Sequence, residues 1–367
     1  MRGRVRWTLT PGPSPSRQGE GKFYLRGPMK ILVTGSAGFI GGYLVEELLQ
    51  AGHEVVGLDN FSKYGELQQA SGKNPRYRFV MGDAKDSNLL RKLMDDVDQV
   101  VAGAAKIGGI SYFHEFAYDL LAENERITAA TFDAAIDAFK KGRVKKINVV
   151  SSSMVFENAE RWPTEEGEQK KCPPPSSTYG FQKLATEYYA QGAFEQYKLP
   201  YTIIRPFNCV GVGERRALCE KAVMSGNVQL AMSHVVPDLI QKVLKGQDPL
   251  RILGDGNQVR HYTYGADLAR GIRFCIEKPE ALNDEFNIST AESTTVIQLA
   301  KLIWEKIKPG VPFRYTSDKP YPYDVQKRVP NVDKAAKKLG FRATTPLSEV
   351  LDVVIPWIKQ QIEYGNI

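Results

Sequence analysis

The 367-residue sequence is poor in cysteine and histidine, with four of each. Cys172, Cys209, Cys219 and Cys275 form no C-x-x-C pair. No metal site is expected from them, and free thiols in a reduced, cytoplasmic compartment are. No stretch approaches the roughly 20 apolar residues of a membrane span. The N-terminus lacks the apolar run of a secretory signal. Long Lys/Arg runs are missing as well. The formal charge is +7, but residues 1–28 hold Arg2, Arg4, Arg6, Arg17, Lys22 and Arg26 against Glu20 alone, which leaves about +2 for the remainder. That distribution gives no support to a nucleic-acid groove, whereas a few arginines aimed at an anionic small molecule are compatible with it.

What is present is 42% hydrophobic and 25% charged residues, a globular composition in a chain long enough for one large or two ordinary domains. Residues 1–28 are rich in Pro, Gly, Ser and Arg and read as a disordered extension ahead of Met29; a basic targeting arm is the lesser reading. From Lys30 the chain alternates strands and helices. The run ILVTG is followed by a helix pattern from Phe39 to Ala51 and by HEVVGLD. Further strands are expected at RYRFVMG, DQVVAGA and KKINVVSSS, each separated by a helix-like segment. Short apolar strands alternating with helices predict an α/β fold, a Rossmann-type, doubly wound parallel sheet. After Arg205 and Pro206 the loops lengthen, with helix patterns near 235–245, 265–277, 295–307 and 346–365. The expected organisation is a Rossmann domain over 29–205. A smaller, intertwined substrate-binding region over 206–367 would return some segments to it.

VTGSAGFIG places Gly35, Gly38 and Gly41 at the first strand-to-helix turn, with Phe39 and Ile40 between them. Glycines there allow a tight turn and let backbone amides approach a pyrophosphate at a helix N-terminus. The second strand ends in Asp59 about 20 residues on, where a carboxylate can hold both ribose hydroxyls of an adenosine. Asp59 would repel a 2′-phosphate, and Asn60 and Phe61 beside it bring no arginine, so NAD is expected over NADP. Asp83, closing the third strand, either takes the adenine amino group or caps the following helix.

STYGFQKLATEYYA, residues 177–190, sets Tyr179 and Lys183 four apart, on one face of a helix. Tyr315/Lys319 and Tyr323/Lys327 share that spacing but lie among prolines with no helix. A free phenol has a pKa of about 10, and lowering it to neutrality takes roughly 4 kcal/mol of interaction with the phenolate. Lys183 and a nicotinamide cation would supply that and make Tyr179 a base.

TGSAGFIG, Asp59, GAAKIGG, VVSSS, YGFQK, RPFNCVG and GDGNQVRHYTYGADLARGI together resemble the extended short-chain dehydrogenase/reductases, in particular the NAD-dependent sugar-nucleotide epimerases and dehydratases. The likeness runs from Met29 nearly to the C-terminus. It implies an NAD-dependent enzyme acting on a nucleotide-diphosphate sugar, and a homodimer built from the helix after the fourth strand and the Tyr179 helix. It implies a catalytic Ser152, Tyr179 and Lys183, with Ser153 the fallback serine. Ala104 and Ala105 of GAAKIGG would join the cofactor site. Asn208 matches a position that contacts the phosphate or the sugar, Arg260 one that pairs with the diphosphate, and Arg328 one near the nucleotide ribose. Lys106 lies in the loop lining the nicotinamide side.

Dehydratases and decarboxylases of that family usually carry Glu two residues before the Phe156 position, and other branches carry Cys; this chain has Met154. A thioether shuttles no protons at neutral pH. The expected reaction is therefore hydride removal and return at one carbon, C4, in an epimerase. A sugar-nucleotide reductase, or a 3,5-epimerase/reductase of fucose-synthase type, is the alternative; a dehydratase or a non-catalytic nucleotide-binding relative ranks below. GAAKIGG and SHVVP resemble the fucose-synthase branch, in which the histidine at the His234 position serves as an acid; Cys209 with His234 would be an alternative route for proton transfer. The blander readings, a histidine packing on substrate and a buried thiol, are preferred.

Overall fold

Apolar residues on both faces make KILVT a strand only a fully covered sheet can hold, and β1 (Lys30–Thr34) lies in the interior of one. The computed structural model describes residues 27–65, 70–107, 115–214, 234–320 and 325–365. After β1 come α1 (Phe39–Gln50), β2 (Glu54–Asp59), β3 (Tyr77–Met81), α2 (Ser87–Met94), β4 (Gln99–Ala102), α3 (Ala117–Lys140) and β5 (Lys146–Val150). They are followed by α4 (Thr178–Tyr197), β6 (Tyr201–Pro206), β7 (Cys209–Val210), α5 (Val235–Leu244), β8 (Leu250–Leu253), β9 (Val259–Arg260) and β10 (Thr263–Tyr264). The chain ends with α6 (Gly265–Glu277), β11 (Asp284–Ile288), β12 (Thr294–Thr295), α7 (Val296–Ile307), β13 (Tyr315–Asp318), α8 (Asp333–Leu339) and α9 (Leu347–Glu363).

Seven strands pair in parallel in the order β11-β6-β5-β4-β1-β2-β3. The order reverses between β1 and β4, and a crevice opens at such a switch point beyond the strands' C-terminal ends. One face of the sheet is covered by α1, α6 and α8, the other by α2, α3 and α4. A second lobe packs α5, α7 and α9 against β8 around the fully buried Trp304. No described helix is long and apolar enough to cross a membrane.

Two expectations need correction. Between β2 and β3 the only helical element among the described residues is a 3-10 turn at Ala70–Lys73. Asp83 is not a helix cap: Asp86 caps α2, its carboxylate accepting from the amides of Asn88 and Leu89, while Asp83 closes a local turn with the amide of Lys85. Of the two chance matches to the Tyr-Lys spacing, Tyr315 lies on strand β13, and Tyr323 lies outside the described residues, as does Cys219.

Candidate active site

One cavity of about 810 Å³ runs from the β1–α1 turn across the C-terminal ends of β4 and β5 into the second lobe. It brings together every site residue expected from the sequence. Gly35, Gly38, Phe39, Ile40, Gly41, Asp59, Asn60, Asp83, Ala104 and Ala105 line one end. Ser152, Ser153, Tyr179 and Lys183 lie between these and Asn208, His234, Arg260 and Arg328.

The β1–α1 turn is built for close approach. Gly35 has φ +76°, and a Cβ on Gly41 would lie 2.0 Å from the carbonyl oxygen of Gly35, so neither position takes a side chain without displacing backbone. Helix α1 begins at Gly38 with no side-chain cap, which leaves first-turn N–H groups to the cavity. Asp59 accepts the amides of Ala37 and Phe61 at 3.0 and 2.8 Å, which fixes its carboxylate at the β2 edge of that turn. A carboxylate has about four lone-pair sites, so ribose hydroxyls fit beside those two amides. An uncapped helix N-terminus for a pyrophosphate and a fixed carboxylate for a ribose together suit a dinucleotide.

Tyr179 and Lys183 sit on the first turns of α4, which Ser177 starts by accepting the amide of Gly180 at 3.0 Å. Both side chains are buried. Lys183 Nζ donates to the carbonyl oxygen of Val150 at 3.0 Å, joining the helix to the end of β5. Of the three serines at that strand end, Ser151 donates to Glu187 at 2.6 Å and Ser153 is buried in a 3-10 turn. Ser152 caps that turn and hydrogen-bonds the Tyr179 phenol. Burial pushes Tyr179 up to about 12, with the Ser152 bond and the charge of Arg328 working the other way. Burial lowers Lys183 to about 8, opposed by Glu187 one turn on. Burial therefore adds to the roughly 4 kcal/mol that a free phenol needs to reach neutrality.

Met154 is buried against Tyr179 and Leu120. Glu157, the carboxylate nearest in sequence, is engaged: its Oε2 accepts both the amide and the hydroxyl of Ser177 at 2.9 Å. Asn208 holds a left-handed backbone (φ 34°), and its buried side-chain amide nitrogen has no partner among the described residues. Arg260 and Arg328 come from segments stitched together by bonds from the amide of Arg328 to Val259 and from Val259 to Gln326. Residues 329–331 also pair with Thr164, so Arg328 is clamped between the lobes. His234 pairs through Nδ1 with Glu214. Burial holds the Cys209 thiol well above its ordinary range.

Sequence reasoning missed Lys63, Glu157, Glu214, Asp238 and Lys242, all of which line the cavity. Burial lowers Lys63 to about 8, against the pull of Glu214 and Asp59. Its one sequence signal was its place four residues past Asp59. Asp238 and Lys242, at i and i+4, read as an ordinary helix pair.

Behind the site, α4, β6 and β11 are joined by a buried charge cluster. Arg205 Nε and Nη2 each donate to Glu187 at 2.7 Å, and Nη2 also reaches Glu285. Phe156 stacks on the guanidinium, 5.0 Å from its ring centre.

Comparison with known proteins agrees with this geometry. The chain is 29% identical over 331 residues to a putative UDP-glucose 4-epimerase of Methanocaldococcus jannaschii, covering 90% of this chain and 98% of that one. It is 26% identical over 345 residues to human dTDP-D-glucose 4,6-dehydratase, covering 90% of each. The crystal structure of UDP-glucuronic acid 4-epimerase from Bacillus cereus, in complex with UDP-glucuronic acid and NAD, superposes with a TM-score of 0.74 at 27% identity, covering 90% of this chain and 99% of that one. The model of the NAD-dependent epimerase/dehydratase family matches residues 31–289, from β1 to just past β11. The dinucleotide cradle and that match together place the chain in the NAD-dependent epimerase/dehydratase family, with NAD as its cofactor.

Proposed function

We propose that the protein is an epimerase that inverts C4 of a sugar carried on a nucleoside diphosphate, through a transient keto sugar. The observation that carries this reading is Met154. Packed in one buried cluster with Tyr179, at the position where dehydratases of the family usually carry glutamate, stands a thioether that shuttles no protons at neutral pH. Glu157 is committed to starting α4. Relatives at this level of identity include both epimerases and dehydratases, so the support for an epimerase comes from the local chemistry.

In this reading Tyr179 takes the proton from the sugar's 4-hydroxyl and later returns it, and Ser152 bridges to the same oxygen. Bound NAD would supply a hydride acceptor at the sugar carbon and a positive charge beside the phenol. Lys183, protonated below about 8, adds a second positive charge there and is fixed by Val150. Asn208, Arg260 and Arg328 hold the diphosphate and its ribose, as arginine forks do. Gly35 to Gly41 and Asp59 hold the cofactor.

A second reading, a reductase or 3,5-epimerase of a keto sugar, draws support from His234, whose ring is oriented in the cavity by Glu214. The raised Cys209 thiol counts against it, since the thiol is a poor proton carrier at neutral pH. We also propose a cytoplasmic homodimer: Tyr118 on α3 and Phe181 and Tyr188 on α4 expose large apolar rings, a pattern that suits a helix-to-helix interface.

The test is incubation with a panel of nucleotide sugars, following sugar configuration by NMR. Conversion of one sugar to its C4 epimer without net cofactor consumption, lost by 10²-fold or more in Tyr179→Phe, is the expected result. Steady consumption of added NADH or NADPH with a keto sugar would establish the reductase instead.

A further inference from the structure

In the second lobe the cavity is walled by α5 and β8. Val236, Leu239, Leu253 and Val296 supply apolar surface there. Set among them is an ion pair: Lys242 Nζ lies 2.7 Å from Asp238 Oδ2, with side chains only 13% and 19% exposed. Pairs at i and i+4 on a helix ordinarily face solvent, where they are cheap and contribute little. This one faces into a cavity, where desolvation works against it. Burial raises the Asp238 carboxyl, with Lys242 opposing. Lys242 also donates to the carbonyl oxygen of Arg251 on β8 at 3.2 Å, which leaves one of its three hydrogens. Among the described residues Lys242 makes the only bond to the Asp238 carboxylate. The other carboxylate at this wall, Asp318, is engaged by Arg251 at 2.6 Å.

In the sugar-nucleotide reading, with the reacting carbon at Tyr179 and the diphosphate at Arg260, the wall formed by α5 and β8 is the part of the cavity left to hold the base. A carboxylate beside an ammonium offers two acceptors and then a donor. Guanine presents the complement on one edge, with N2–H and N1–H as donors and O6 as an acceptor. Uracil and thymine present N3–H between two carbonyls, so a carboxylate that takes the N–H sets its second oxygen against a lone pair. Adenine and cytosine match one donor and one acceptor and leave the second carboxylate oxygen without a partner.

We propose that Asp238 and Lys242 read the nucleotide base and select guanine, so that the substrate is a GDP-sugar. The inference rests on the sugar-nucleotide reading above, and it departs from the pyrimidine nucleotides named for the relatives.

The experiment is calorimetric titration of the full-length, NAD-loaded protein with GDP, UDP, dTDP, CDP and ADP, repeated with Asp238→Asn and Asp238→Ala. GDP is expected to bind about 10- to 100-fold tighter than UDP, the range that two correctly placed hydrogen bonds discriminate. Asp238→Ala should remove that preference by weakening GDP while UDP stays within about 3-fold. The wild-type ranking needs no variant, so a misfolded mutant cannot obscure it. Any of the other four diphosphates binding as tightly as GDP overturns the proposal, as does a variant that weakens GDP and UDP equally. Failure of all five to bind would instead remove the sugar-nucleotide reading itself.

Discussion

Glu187→Gln is the most revealing single change, because it touches the fold and the chemistry by separable routes. Arg205 and Glu187 are 0% and 1% exposed, and two 2.7 Å bonds and the Ser151 hydroxyl converge on the carboxylate. The amide keeps the shape but turns one acceptor into a donor facing a guanidinium. Removing one partner of a buried pair costs about 3–5 kcal/mol, and Glu285 remains to hold Arg205, which favours the low end. A loss of about 3 kcal/mol, at about 2 °C per kcal/mol for a chain of this size, lowers Tm by about 6 °C. The second effect concerns the proton on Lys183. Burial disfavours its charge and the Glu187 carboxylate favours it, so neutralising Glu187 lowers the Lys183 pKa below about 8. Activity that needs the ammonium is then lost at lower pH than in the wild type, and the alkaline limb of kcat moves to the acid side. Differential scanning fluorimetry and a kcat profile from pH 6 to 10 read the two effects. A variant whose Tm falls while its alkaline limb stays in place would refute the electrostatic role of Glu187 and leave only a structural one.

Gly41→Ala should abolish NAD retention, measured as dinucleotide released on denaturation, because its Cβ would stand 2.0 Å from the Gly35 carbonyl. Carrying cofactor at the wild-type level would contradict the cradle geometry. Lys146 is buried under the carbonyls of Cys275 and Ile276 at the end of α6, and burial lowers it to about 8. The unfolded chain then holds more protons than the folded one between about 8 and the ordinary lysine value of about 10.4, so this lysine makes stability rise with pH across that window. In urea titrations Lys146→Met should flatten that rise, and an unaltered slope would count against it.

The strands were legible because sheet covering on both faces imposes unbroken apolar runs such as KILVT and KINVV, and the glycine spacing because backbone clearance at Gly41 admits no substitute. Sequence could not tell that Asp86 caps α2 and Asp83 does not. Both stand in DAKDSN, and only backbone geometry separates an N-cap from a turn. The electrostatic reach of Arg328 to Tyr179 was also hidden, since it depends on pairing between residues 329–331 and Thr164, far apart in the chain. Lys63 lies within electrostatic reach of Glu214 although they stand on different loops, and no periodicity reports such proximity.

The late arrival of β11 bears on how the chain is made. β6 is complete at Pro206, yet its outer neighbour spans Asp284–Ile288, after much of the second lobe has been synthesised. Until then a nascent chain on the ribosome carries a naked sheet edge and an arginine, Arg205, still waiting for Glu285. A product truncated after Pro206 would bear both liabilities permanently and should aggregate, and the two lobes are thereby obliged to mature together.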